Sequence, residues 1–150
     1  MAPPVIIEMS VEINGPAQVV WDRLVDWENL GQWMKEAWDF RVTTRHREGV
    51  GVEAEAKVRV AGITTADSVI VRRWEPPEWF EIEHMGWVGG RGLMHCRPTA
   101  NGTYLWWRET LQPPLGWLGW VGMQVVRPVM AWIFNRDLAL LKELVEAQPR

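Results

Sequence analysis

The chain has 150 residues, a formal net charge of -3 and a pI near 5.6. That length suits one domain, residues 1–150, with a core that buries about 68–70% of the unfolded surface. The acidic balance gives no electrostatic case for nucleic acid. A lone cysteine, Cys96, excludes a disulfide framework and a cysteine-based zinc site.

Met1-Ala2-Pro3-Pro4 has neither a basic region nor a long apolar run, so no secretory signal is expected and a cytoplasmic location is. From Val5 to Ile13 the residues alternate as a strand, with Ile7, Met9, Val11 and Ile13 on one face. Asn14-Gly15-Pro16 turns the chain into a helix whose inward side is Val20, Trp21, Leu24 and Val25. A second short helix is predicted over Trp27 to Lys35, anchored by Trp33. In the next strand Trp38, Phe40 and Val42 alternate with Asp39, Arg41 and Thr43.

Val52 to Val60 gives the clearest period-two pattern, with Ala54, Ala56 and Val58 set against Glu53, Glu55, Lys57 and Arg59. Ala61-Gly62 forms a two-residue hairpin connection, so Thr65, Asp67, Val69 and Val71 share the apolar face. Glu75-Pro76-Pro77-Glu78 interrupts the chain before Trp79 to Met85, where Phe80, Ile82 and His84 lie together. Gly89-Gly90-Arg91-Gly92 makes a loose or bulged start to a strand over Leu93 to Arg97. Asn101-Gly102 is a turn before the strand Thr103 to Gln112. The count is seven strands, meandering after the first.

A helix is predicted from Pro128 to Ala147. Advancing about 100° per residue, Met130, Ile133, Phe134, Leu138, Leu141, Leu144 and Val145 fall in one stripe. Asp137 lies in the middle of that stripe, where a carboxylate needs a partner, water or a cavity. The preceding segment, Leu115 to Phe134, carries one charge but is broken by Arg127-Pro128 and diluted by glycine. It is read as packing over the sheet edge and not as a spanning helix, with transient membrane contact open to Trp117 and Trp120.

The order of strand, two short helices, six strands and long C-terminal helix is a helix-grip arrangement, an α+β fold with a curved antiparallel sheet. Three stretches, VEINGPAQVVWDRLVDWENLGQW, ANGTYLWWRETL and NRDLALLKELVE, resemble the START-like (SRPBCC) superfamily of polyketide cyclases/dehydrases and lipid-transport proteins. The resemblance spans about Val5 to Ala147 and implies a cavity between the long helix and the concave sheet face. Strand parity points to the same place. Trp38, Phe40, Phe80, Ile82, Met94, Trp107, Met130, Phe134 and Leu141 would line it, with Thr65, Asp67, His84 and Asp137 as polar exceptions; the alternative is that these side chains simply fill the space.

His84, Asp137 and Asp67 are the candidate acid–base residues, and His84 and Asp137 are expected to meet as the polar end of the cavity. His46 and His95 are read as surface residues. No metal-ligand spacing, phosphate loop or nucleophile motif is present, and no cofactor is expected. The expected partner is a hydrophobic small molecule such as a lipid, isoprenoid or polyketide. Two other readings remain, an aromatase/cyclase- or dehydratase-type enzyme and a protein-interaction module. Cyclase members of the superfamily carry a strand arginine aimed into the pocket and a tyrosine after the second short helix; here the first position aligns with Val71, and Tyr104 lies elsewhere.

Overall fold

The computed structural model describes residues 2–148. Strand β1 (Val5–Ile13) pairs over its whole length with β7 (Thr103–Gln112), so the two ends of the sheet-forming chain lie side by side. Between them run β2 (Ala37–Val42), β3 (Glu53–Val60), β4 (Ile63–Glu75), β5 (Trp79–Met85) and β6 (Gly89–Pro98), all antiparallel, in the sheet order β1-β7-β6-β5-β4-β3-β2. Helix α1 (Ala17–Leu24) and a 3-10 turn (Trp27–Gln32) link β1 to β2, and helix α2 (Gly116–Glu146) follows β7. This is the helix-grip architecture that the element order predicts. The second short helix ends at Gln32, earlier than Lys35, and takes the tighter 3-10 form, in keeping with the weak helix formers Asn29 and Gly31. Trp33 is its buried anchor, 1% exposed.

On β3 the predicted parity holds: Glu53, Glu55, Lys57 and Arg59 are exposed, while Ala54 is buried and Ala56 and Val58 are half-buried. Ala61 and Gly62 both have positive φ (53° and 80°), the signature of the tight turn that sets Val60 opposite Ile63. Two bulges shift the face pattern elsewhere. In β2 the register slips between Trp38 and Arg41, around Asp39 at φ 58°. Trp38 therefore pairs with Lys57 on the outer face, while Ala37 opposes Val58 on the inner one. In β4 a slip between Val71 and Arg73 puts Trp74 opposite Phe80. Strand β6 starts at Gly89, so the glycine run belongs to the sheet.

Helix α2 begins at Gly116 and not at Pro128, which sits inside it. Met123, Val126 and Met130 continue its inward face, while Leu118, Val121, Val125, Val129 and Trp132 form an exposed stripe on the far side. With apolar residues on both sides, the helical period disappears from the sequence. No helix among the described residues is long and apolar enough to cross a membrane.

Aromatic side chains pack together in the interior. Trp21, Trp74 and Phe80 meet edge-to-face at 5.3–5.9 Å, and Trp27 joins Phe80 at 6.1 Å. These rings pack beneath α1 and the 3-10 turn, with Trp27 and Phe80 also reaching the cavity. Leu138, Leu141 and Val145 of α2 are fully packed in the core, and a Cβ on Gly15 would come within 2.7 Å of Val145 Cγ1.

Candidate functional site

Between the sheet, the 3-10 turn and α2 lies a cavity of about 320 Å³. Phe40, Phe80, Ile82, Met94 and Trp107 line it from the sheet, and Met130 and Phe134 from the helix. The rings of Trp107 and Phe134 pack against each other on its wall, with centroids 5.0 Å apart. Small Ala54 and Ala56 leave room on β3, and Ile63 and Trp87, 61% and 57% exposed, mark the open side. Three predicted lining residues lie outside it. Trp38 is turned outward by the β2 bulge, Leu141 is packed at 0% exposure, and Asp137 is buried at another place.

Thr65, Asp67 and His84 do line the cavity, and His84 is the centre of its polar part. Its Nδ1 donates to Asp67 Oδ2 at 3.0 Å and its Nε2 to Glu109 Oε2 at 2.9 Å. The indole Nε1 of Trp107 donates to the other Glu109 oxygen, also at 2.9 Å. Donation from both ring nitrogens requires the imidazolium form. Burial alone would lower the pKa of His84, but the Glu109 charge and the hydrogen bonds to Asp67 and Glu109 outweigh it and raise it to about 10.

The glycines of β6 make this cluster possible. Gly92 stands opposite both Ile82 of β5 and Glu109 of β7. With no side chain there, His84 and Glu109 reach one another across the intervening strand; a Cβ on Gly92 would come within 2.6 Å of Glu109 Oε1. Glu109 is not among the sequence candidates, although it lies two residues beyond inward-facing Trp107 and so on the same face.

The expected pairing of His84 with Asp137 is corrected by these contacts. Asp137, 0% exposed, accepts from Arg136 Nη2 at 3.1 Å and from the Lys35 backbone N–H at 3.4 Å. Its other neighbour is Glu36, whose pKa is raised to about 9 by burial and by the hydrogen bond and charge of Asp137. Glu36 Oε1 and Asp137 Oδ2 are buried with no N–H or hydroxyl donor. A proton held between the two carboxyl groups satisfies both. Glu36 also touches the cavity, a second polar contact that the sequence does not single out because it sits in an irregular loop with no period to fix its direction.

His95 stacks on Trp79 at 3.9 Å and His46 is exposed, both away from the cavity. Val71, at the cyclase arginine position, is fully buried and outside it. Burial raises the Cys96 thiol to about 12, so it stays protonated and unreactive. Trp117 and Trp120 pack edge-to-face at 5.5 Å in the first turns of α2, with Trp117 60% exposed.

Among curated proteins, an uncharacterized protein of Mycobacterium tuberculosis strain H37Rv is 26% identical over 101 residues, covering 66% of this chain and 71% of that protein. Solved structures share the fold. A protein from Thermus thermophilus, TTHA0849, superposes with a TM-score of 0.81 at 19% identity, covering 95% of this chain and 98% of its own. The Zhui aromatase/cyclase from Streptomyces sp. R1128 also gives 0.81, at 16% identity with 98% and 96% covered. A START superfamily protein from Mycobacterium smegmatis gives 0.76, at 16% identity with 94% and 97% covered. Residues 4–146 match the family described as polyketide cyclase / dehydrase and lipid transport, and the chain belongs to that family, with its START-like helix-grip fold.

Proposed function

We propose that this protein binds or transfers a hydrophobic small molecule, of lipid, isoprenoid or polyketide type, in the cavity between the sheet and α2. The observation that carries this reading is the cavity itself: about 320 Å³ of space walled by aromatic, methionine and aliphatic side chains, with only a few polar groups on its wall. That volume is at the lower end of the roughly 300–1,000 Å³ common for small-molecule sites. Family membership supports the same reading, since lipid transport stands in the family description.

An enzymatic role of the aromatase/cyclase or dehydratase kind finds less support. A general base needs a free nitrogen or oxygen in reach of the reacting proton. Both ring nitrogens of His84 are engaged by carboxylates, and the proton of Glu36 is shared with Asp137. The exposed Ile63 and Trp87 on the cavity wall supply an apolar edge suited to brief contact with a membrane during ligand exchange.

The test uses N-phenylnaphthylamine, a neutral apolar fluorophore. It should bind with a blue shift, and Phe134→Arg should abolish the signal while the far-UV circular dichroism is unchanged. Trp38→Ala, outside the cavity, should bind as the wild type does. No binding, or equal binding by Phe134→Arg, overturns the reading.

A further inference from the structure

We infer that the ligand ends in a hydrogen-bond donor, a hydroxyl or a protonated amine on an apolar body, and not in a carboxylate. The inference rests on the binding reading above and names the chemistry of the same site.

It follows from counting which polar atoms of the His84 cluster remain available. His84 has given both of its N–H groups away, one to Asp67 Oδ2 and one to Glu109 Oε2. Trp107 has given its indole N–H to Glu109 Oε1, so each Glu109 oxygen already has a donor. Within this cluster the oxygen that receives no donor from any described residue is Asp67 Oδ1, on a cavity-lining side chain that is 22% exposed. The cluster thus presents an acceptor. Its two carboxylates and one imidazolium also leave one negative charge in excess, on a wall whose other polar side chains are Glu36, Glu55 and Thr65.

The remaining neighbour is compatible with a donor head group. Thr65 lies two residues before Asp67 on the same face of β4, with no hydrogen bond to its hydroxyl among the described residues, and it can either donate or accept. A ligand hydroxyl can give its proton to Asp67 Oδ1 and accept from Thr65. An ammonium group can donate to Asp67 and also neutralise the excess charge. A carboxylate would face Asp67 without a proton to offer, in surroundings where like charges repel strongly. No lysine or arginine borders the cavity to receive it.

The experiment is displacement of bound N-phenylnaphthylamine at neutral pH by decanol, decylamine and decanoate, which share one chain length. Decanol and decylamine should displace the probe at concentrations about tenfold or more below decanoate. Asp67→Asn keeps an oxygen to accept from His84 but removes the charge and adds an amide donor, so it should narrow that gap. Should Asp67→Asn fail to fold, the wild-type ranking alone decides. Decanoate displacing as well as or better than the other two overturns the inference, as does a gap unchanged in folded Asp67→Asn, or failure of all three to displace a probe that binds. If the probe itself does not bind, the cavity reading has failed, and this inference falls with it.

Discussion

Replacing Glu36 by glutamine tests the buried acid pair quantitatively. The Glu36 carboxyl holds its proton up to about pH 9 in the folded chain, against 4.5 for an unperturbed glutamate. Between these values the folded state binds one more proton than the unfolded state. Stability therefore falls as pH rises, by about 1.4 kcal/mol per pH unit, until the folded pKa is reached. At pH 7 the accumulated cost is about 3 kcal/mol relative to acid conditions. Glutamine has a similar shape, offers an N–H to Asp137 and has no proton to lose. Glu36→Gln should accordingly match the wild type near pH 4.5 and be about 3 kcal/mol more stable at pH 7. The assay is urea unfolding followed by tryptophan emission over a pH series. Only the difference between the two proteins is read, because His84 titrates in both. A difference that stays constant across the series, or a variant less stable at pH 7, would refute the shared proton.

The His84 ring should keep imidazolium chemical shifts in nuclear magnetic resonance spectra well above pH 6.5, because its pKa is raised to about 10; a midpoint near 6.5 would mean the two carboxylate contacts are not made. Its stabilising effect is complete below pH 6.5 and is lost as pH rises through about 10. Leu141→Ala, at a fully buried position outside the cavity, should cost about 2–5 kcal/mol in unfolding experiments. It should leave N-phenylnaphthylamine affinity unchanged, the opposite of the pattern expected for Phe134→Arg.

The sheet is legible because a half-buried strand writes its face pattern directly into the sequence. Glu53 to Val60 alternates without exception, and the structure follows it residue by residue. Trp38 is misplaced by the same rule, since one extra residue at Asp39 reverses the parity of what precedes it and leaves no mark in composition. The interior position of Asp137 follows from the phase of its apolar neighbours, but its partner does not. Glu36 comes from an irregular loop that lies 101 positions away in sequence, and no local pattern links the two. Glu109 is within reach of parity through Trp107. The bare stretch at Gly90 and Gly92, which lets β5 and β7 side chains meet, reads in isolation only as a loose or bulged start to the strand. The early part of α2 is hidden because both of its faces are apolar, so charge and period give no contrast.

The most direct test of the central claim is a two-dimensional amide and indole spectrum recorded while decanol is added. If the cavity is the binding site, the indole N–H of Trp107 and the amides of Ile82, Met94, Met130 and Phe134 should shift together and saturate, with Trp38 unmoved. Shifts confined to the exposed face of α2, at Leu118, Val125 and Trp132, would place binding on the surface and contradict the account.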